Sequence, residues 1–519
     1  VYVPQPDGSI RKLWTFPGGL TLPDNKAISN SHPLMLPTIP QILILSSQQN
    51  IGLPSKPLVK PGEWVLKGQL IAAPGGNVSA ALHAPTSGQV LAIEERLIPH
   101  PSQLAVSCII IVADGQDTWG WLPEPISDYA TRQVGELLER IRWAGVVGLG
   151  GATFPSSAKL TQPVETSIET LILNGIECEP YITCDDVLMR MQPSRIIAGA
   201  QILLRILNAK ECIIGIEDNK PEAIAALYEQ IKISDLQNIQ LVRVPTLYPS
   251  GGERQLIYLL TGREVPSQQL PSQIGIVCHN VATAAAIADA VVDGRPLISR
   301  IVTVTGQGIK APCNMDALIG TPMTDLIANA GGYTPLARKL IMGGPMMGFA
   351  LPTDDLPITK ATNCLLVASR IESPDPVPIQ PCIRCGACYR VCPANLLPQQ
   401  LYWHCRAKNL DKAQAYNLFD CIECGCCSHV CPSHIPLVQY YRAIKSAIRV
   451  RTEEQRQAEH ARQRYEARAA RLQQLEAARQ ARLHERQVAA ASGDVSAEEA
   501  KKAVIEAALR RVAAKKQTV

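Results

Sequence analysis

Cys382-Ile-Arg-Cys385-Gly-Ala-Cys388-Tyr-Arg-Val-Cys392-Pro393 recurs downstream as Cys421-Ile-Glu-Cys424-Gly-Cys-Cys427-Ser-His-Val-Cys431-Pro432. Both runs read C-x2-C-x2-C-x3-C-P. Three thiolates spaced by two residues wrap one iron–sulfur cubane corner to corner, and the fourth, displaced along the chain, reaches across to a second cubane. The spacing predicts two [4Fe-4S] clusters. One is held by Cys382, Cys385, Cys388 and Cys431, the other by Cys421, Cys424, Cys427 and Cys392. Structural zinc is the competing reading, but zinc sites pair two C-x2-C knuckles and do not need a third cysteine at i+6 with a trailing Cys-Pro. Gly386 and Gly425 are expected to let the backbone turn tightly and aim N–H groups at cluster sulfides. Cys426, beside a ligand, is expected to point away as a packed free thiol, like Cys405 on a predicted helix from Gln399 to Lys408.

Four prolines between Pro374 and Pro381 make a stiff linker on the N-terminal side of this segment. Beyond Arg449 the chain is Ala, Arg, Glu and Gln with few large apolar residues, broken near Ala491 to Asp494. Such a tail can form solvated helix through i,i+4 ion pairs but cannot bury a core, so mobile helix or disorder is expected.

With 519 residues the chain holds several domains. Gly 35 and Pro 40 against 4% aromatics indicate many turns and short strands. Seventeen cysteines in a chain of this size, half of them clustered and with no leader-like start, point to a reducing, cytoplasmic setting. No apolar run reaches the roughly 18 to 20 residues of a spanning helix, so any membrane attachment is expected to go through partners. A net charge of +4, its basic excess mostly in the tail, is too small to suggest nucleic acid.

Val59-Lys-Pro-Gly-Glu-Trp-Val-Leu-Lys-Gly-Gln-Leu-Ile71 and His83-Ala-Pro-Thr-Ser-Gly-Gln-Val-Leu-Ala-Ile93 alternate short apolar runs with Pro-Gly and Ser-Gly turns. They resemble the barrel-sandwich hybrid of biotinyl and lipoyl carriers. A swinging arm needs an exposed hairpin-tip lysine, usually between methionines, and no Met-Lys-Met occurs, so a docking or structural module is the reading. From Thr131 a helix (Gln133 to Trp143, with Leu137, Leu138 and Ile141 on one face) feeds a glycine-rich turn. Strands at Leu171 to Leu173, Glu211 to Ile216 and Ile239 to Val244 then alternate with helices at Ile196 to Leu207 and Pro221 to Ile231, as in a parallel sheet covered by helices. Ile301 to Gly306 opens a β unit with a helix at Met323 to Ala330, which resembles a soluble-ligand-binding β-grasp insert.

Gly145-Val-Val-Gly-Leu-Gly-Gly-Ala-Thr-Phe-Pro155 follows a helix and not a strand, so it is not the strand–G-x-G-x-x-G–helix fingerprint. Its glycines still expose successive N–H groups suited to phosphate, with Lys159 as counter-charge. A β-branched or charged side chain at Gly150 is expected to block that approach, and glycine also permits φ > 0 where other residues resist it. From Gly148 to Lys159 the run resembles the G-R-G-G-A-G-F-P-x-G-x-K loop of the flavin-carrying subunit of respiratory complex I. Asn174-Gly-Ile-Glu-Cys-Glu-Pro180, Tyr248-Pro-Ser-Gly-Gly-Glu253 and His279-Asn-Val-Ala-Thr283 resemble that family's later motifs, in the same order. The resemblance implies that Gly148, Gly150, Gly151, Lys159, Asn174, Glu177, Tyr248, Gly251, Asn280 and Thr283 contact FMN. It implies that Phe154, Glu179 and Glu253 face NADH. Leu149, Ile176 and Gly252 depart from the family's arginine, aspartate and glutamate, which weakens the charge balance and polar contacts around the flavin.

The whole order resembles the RnfC family, the flavin and iron–sulfur subunits of Rnf (Rsx) ion-translocating oxidoreductases, with a two-cluster ferredoxin-like domain at the end. The expected architecture is multidomain α/β and α+β: a barrel-sandwich hybrid at 1–125, an FMN/NADH-binding α/β domain at 126–295, a β-grasp domain and return at 296–373, the ferredoxin-type domain at 374–448 and a charged tail at 449–519. The resemblance implies an NADH-linked oxidoreductase subunit, peripheral on the cytoplasmic face of the bacterial inner membrane. Its cofactors would be two [4Fe-4S] clusters, FMN and NAD(H), and its partners integral-membrane and ferredoxin-like sister subunits, with ferredoxin or flavodoxin served indirectly. A microcompartment cobalamin reductase-like flavoprotein and a non-catalytic electron-wiring subunit are the alternatives.

Overall fold

Short strands between Pro-Gly and Ser-Gly turns form the N-terminal layers of the computed structural model, which describes residues 2–161, 167–491 and 495–516. A hairpin of β1 (Tyr2–Pro4) and β2 (Ile10–Lys12) leads through an extended segment and one helical turn, α1 (Ala27–Asn30). Seven strands follow: β3 (Ile42–Ser46), β4 (Lys56–Pro57), β5 (Trp64–Val65), β6 (Leu70–Ala73), β7 (Leu82–His83), β8 (Gly88–Leu97) and β9 (Ala105–Ala113). They make two facing sheets, β3-β9-β8-β5 and β4-β6-β7. Side chains alternate as the pleat requires, with Val65, Val90, Ile109 and Ile111 inside and Trp64 and Leu91 outside.

After α2 (Val134–Trp143), the glycine loop and α3 (Ser156–Leu160) comes the parallel sheet. Its order is β12-β11-β10-β13, from β10 (Thr170–Gly175), β11 (Glu211–Glu217), β12 (Ile239–Val244) and β13 (Ile276–Asn280). Helices α4 (Cys184–Met191), α5 (Pro193–Leu207), α6 (Pro221–Ile233), α7 (Glu253–Thr261) and α8 (Val281–Val292) connect and cover it. The strands are apolar on both faces because helices bury both. A mixed sheet, β15-β14-β18-β16-β17, follows, built from β14 (Ser299–Thr305), β15 (Cys313–Leu318), β16 (Lys339–Met342), β17 (Phe349–Ala350) and β18 (Cys364–Ala368), with α9 (Met323–Asn329) against it.

The cysteine segment folds as α10 (Ala387–Arg390), α11 (Pro398–Arg406), α12 (Leu410–Ala415) and α13 (Cys426–His429). Its two halves repeat in backbone as well as in sequence: φ is positive at Arg384 and Glu423, at Gly386 and Gly425, and at Asn395 and His434. At Gly425 a Cβ would sit 2.8 Å from the carbonyl oxygen of Met346, so glycine is required there on steric grounds too.

Contacts divide the chain into a body of Val1–Arg442 and a second unit of Ala443–Val519. The second unit continues α14 (Leu437–Ala491) and adds α15 (Val495–Lys516). The expectation of mobile helix or disorder resolves to helix there, laced by pairs such as Arg456–Glu453 and Arg462–Glu459. Past Ala491, the break expected near Asp494 lies outside the described residues. Among the described residues no helix is long and apolar enough to cross a membrane.

Candidate functional site

A cleft of about 660 Å3 opens at the carboxyl ends of the parallel strands, where open α/β sheets bind ligands. The end of β10 contributes Asn174 and the acidic loop after it, β13 contributes Asn280, and the segment between β12 and α7 contributes Tyr248 and Gly251. The glycine loop forms another wall. It is closed on itself by Gly148 N–H to Phe154 O (2.9 Å) and Thr153 N–H to Gly148 O (3.0 Å), and pinned by Leu149 N–H to Thr283 Oγ1 (2.9 Å). Those bonds leave the N–H groups of Gly150, Gly151 and Ala152 without a protein acceptor among the described residues. Gly151 has φ +103°, and a Cβ there would meet nothing within 4 Å. Three successive free N–H groups beside open space fit a phosphate.

The loop's positive φ lies at Gly151, while a Cβ added at Gly150 would touch the Asn280 side chain at 3.3 Å. Gly150, Gly151, Asn174, Glu177, Glu179, Tyr248, Gly251, Glu253 and Asn280 line the cleft, while Gly148, Phe154, Lys159 and Thr283 stand behind its lining. Lys159, expected as the phosphate counter-charge, instead donates to Glu253 Oε1 (2.7 Å) and to the carbonyl of Cys278 (2.6 Å). Glu177 is committed to structure: its oxygens accept from the N–H groups of Asp185 (2.6 Å) and Asp186 (3.2 Å) at the start of α4. Burial pushes its carboxyl up to about 7, against the pull of Lys26. Glu179 accepts from the N–H groups of Met346 (2.6 Å) and Met347 (2.9 Å), and burial raises its carboxyl too. Asn280 caps α8 through Ala282 N–H and donates to Asp185 Oδ2 at 2.6 Å.

The eight motif cysteines separate into two sets. Cys382, Cys385, Cys388 and Cys431 line a cavity of about 560 Å3, with Cys385 exposed. Cys392, Cys421, Cys424 and Cys427 line a much tighter cleft of about 20 Å3. No three of these thiols gather within 4.8 Å of one another among the described residues. A tetrahedral zinc with Zn–S near 2.3 Å would draw sulfurs to roughly 3.8 Å. Corner positions of a cubane lie farther apart, so thiols that do not converge to within 4.8 Å are compatible with cubanes. Cys426 is a fully buried free thiol, as expected, packed with Tyr248 and Cys424, and it is among the residues that line the tighter cleft.

The nucleotide cleft and the tighter cysteine set share a wall. Ile422 lines the cleft, and the Tyr248 hydroxyl donates to the Cys424 carbonyl at 2.7 Å. Sequence reading missed this, as it missed two other contributors to the lining, the Pro99–Pro101 turn between β8 and β9 and the Met342–Phe349 stretch, and the support Lys26 gives the acidic loop. Lys26 is buried and donates to the carbonyls of Glu177 (2.8 Å), Glu179 (3.3 Å) and Ile182. No local pattern marks these residues, because each reaches the cleft or its acidic loop from a distant part of the chain.

A parallel-sheet nucleotide cleft walled by a doubled cysteine domain defines a chain of the flavin and iron–sulfur class. Family models agree segment by segment: the RnfC barrel sandwich hybrid domain over residues 14–116, the Nuo51 FMN-binding domain over 141–289, the SLBB domain over 301–350 and the 4Fe-4S dicluster domain over 381–435. RnfC proteins, named as subunits of an ion-translocating oxidoreductase complex, match along most of the chain. That of Pseudomonas aeruginosa is 52% identical over 90% of this chain and 60% of its own length. That of Edwardsiella ictaluri is 48% identical over 96% and 61%, and that of Yersinia enterocolitica 47% identical over 96% and 70%. The chain belongs to this RnfC family, and it spans about six-tenths of the length of the first two relatives. The membership does not favour the cobalamin reductase-like alternative. A solved NAD+-reducing [NiFe]-hydrogenase aligns at 18% identity over 62% of this chain and 65% of that one, with a TM-score of 0.43, too loose to argue from.

Proposed function

We propose that this chain is the NAD(H)-linked electron-transfer subunit of a membrane-bound ion-translocating oxidoreductase complex, working through FMN and two [4Fe-4S] clusters. The observation that carries the reading is the shared wall: one cleft is lined by the glycine loop, by Tyr248 and by Ile422 of the cysteine domain. When bound, the flavin supplies the conversion between a two-electron hydride and the one-electron steps a cubane accepts. The chain's own work is placement. The free N–H groups of Gly150, Gly151 and Ala152 hold phosphate, while Asn174 and Tyr248 bound the space beside it. No side chain is required as a general base.

The tighter cysteine set adjoins the cleft, and the set around exposed Cys385 opens to the surface with Ile383 and Tyr389 exposed beside it. That arrangement supports an outward order, with the outer set meeting a partner subunit. In this reading the subunit is peripheral on the cytoplasmic face of the inner membrane, held by integral-membrane and ferredoxin-like sisters, with ferredoxin or flavodoxin served indirectly. The test is NADH oxidation by the isolated chain with flavin and clusters intact and an artificial acceptor. Reduction of both clusters by NADH is expected; a flavin-loaded protein whose clusters stay oxidised would overturn the proposal.

A further inference from the structure

Phosphate in this cleft meets a shortage of positive charge. Glu177, Glu179, Asp185 and Glu253 line it, and no lysine or arginine does among the described residues. Each carboxylate already has donors inside the protein: Glu177 the N–H groups at the start of α4, Glu179 those of Met346 and Met347, Asp185 the Asn280 amide, and Glu253 the Lys159 ammonium. None of them needs a ligand cation, and Lys159 is spoken for. The glycine loop's free N–H groups suffice for one phosphate. A dinucleotide bound beside a resident mononucleotide brings two more.

Among the described residues lining the cleft, the one nitrogen base is His100. It stands on the turn between β8 and β9, and Pro99, His100 and Pro101 all line the cleft although they belong to the barrel-sandwich domain. Pro99 is buried and His100 exposed, so the turn is anchored while the ring stays available. Proline on both sides also narrows the backbone freedom of the turn. The ring has a defined tautomer. Nδ1 accepts from Ser102 N–H at 3.1 Å and lies 2.7 Å from Ser102 Oγ, which leaves the proton of the neutral ring on Nε2. An Nε2–H donor is therefore presented at the rim.

We propose that His100 Nε2–H binds a phosphate oxygen of the exchanging nicotinamide dinucleotide, so that the barrel-sandwich domain supplies part of the dinucleotide site. The inference rests on the reading of the cleft given under Proposed function and adds to it a specificity residue outside the flavin-type domain. The resident flavin is not the ligand of this ring, because its single phosphate is matched by the glycine loop.

The test uses the full chain with flavin and clusters loaded, titrated calorimetrically with NAD+, and flavin content measured on the same samples after denaturation. His100→Ala is expected to raise the NAD+ dissociation constant about three- to tenfold, the worth of one hydrogen bond at an exposed rim, with flavin content unchanged. His100→Arg, which restores a donor, is expected to return the constant to near the parent's. An unchanged constant in His100→Ala overturns the inference. So does loss of flavin without a change in NAD+ binding, which would assign the contact to flavin phosphate. If the parent itself binds no NAD+, the reading of the cleft fails and takes this inference with it; a parent that binds beside an unaffected His100→Ala sinks the inference alone.

Discussion

Replacing Lys26 with methionine removes a buried cation while keeping most of its apolar volume. Its ammonium lies 2.8 Å from the Glu177 carbonyl, 3.3 Å from that of Glu179, on that of Ile182, and 3.9 Å from the Glu177 carboxylate. These acceptors lie along the acidic loop that runs from β10 into α4, so one side chain ties the loop's carbonyls together. Removing one partner of a buried charge pair costs about 3 to 5 kcal/mol, and the three carbonyls left without a donor fall within the same range. At about 1.4 kcal/mol per tenfold, local opening of the loop should rise by about two to three and a half orders of magnitude. The assay is hydrogen exchange at the amides of Asp185 and Asp186, which bond the Glu177 carboxylate and report the loop directly. Flavin should be lost on gel filtration, while cluster absorbance stays, because the cysteine segment holds its own ligands. Lys210→Met is the control, since Lys210 and its partner Glu169 are largely exposed and such a pair is worth about 0 to 1 kcal/mol. Exchange at Asp185 and Asp186 within about threefold of the parent, with flavin retained, would show that Lys26 does not hold the loop and refute the argument.

Gly151→Val puts a β-branched residue at φ +103°, a strain of about 1 to 3 kcal/mol, and fills the open space beside the free N–H groups; flavin content should collapse while cluster absorbance persists. Cys392→Ala should abolish the cluster shared with Cys421, Cys424 and Cys427 and leave about half the iron; electron paramagnetic resonance showing loss of the other cluster alone would sink the crossed assignment. Lys360, buried with its amine on the carbonyls of Ala81 (2.9 Å) and Gly145 (2.6 Å), is lowered to about 7 by burial, against an unfolded value near 10.4. Between those values the unfolded chain binds the extra proton, so this group's contribution grows as pH rises from 7 to 10 and is lost as pH falls through 7, with a slope of at most about 1.4 kcal/mol per pH unit. The stability difference between parent and Lys360→Met, followed by melting at pH 7, 8 and 9, should move in the parent's favour with rising pH; a constant difference would count against it.

What the sequence discloses about this molecule depends on how far apart the cooperating residues lie. The cysteine sets are encoded by spacings of two and three residues, and the repeat even carries its backbone, with glycine at 386 and 425 where φ is positive. The parallel strands are legible because helices cover both faces and leave β10 and β11 almost wholly apolar. Charged residues are where a local reading says least about partners. Glu177 looks like a ligand contact in its motif, yet its carboxylate caps α4; Lys159 looks like a phosphate partner, yet Glu253 occupies it. Nothing local in the sequence marks Lys26 or Lys360, and only the fold shows that each is buried against main-chain carbonyls. A buried lysine has no periodic signature, since its acceptors come from whichever loops the fold brings near.

The extended N-terminal segment explains how cleft and cysteine set are kept in register. Gly18 lies so close to the cysteine segment that a Cβ would sit 2.4 Å from the Val391 carbonyl carbon, and Gly19 N–H donates to the Val391 oxygen at 3.1 Å. One residue on, Leu20 and Tyr248 exchange backbone hydrogen bonds of 2.8 and 2.9 Å. Tyr248 in turn reaches the carbonyl of Cys424. Val391 precedes Cys392, the ligand expected to cross over, and Cys424 belongs to the same set. Two points of that set are thus fixed to a strap of three residues that also touches the cleft through Tyr248, and six residues later Lys26 fastens the acidic loop. Because these contacts are mostly between main-chain atoms and leave no room for a Cβ at Gly18 or Gly19, the close approach of backbones holds the separation of cleft and cysteines. The strap lies outside the paired strands of the barrel sandwich, and its contacts hold the spacing on which transfer between the two sites would depend.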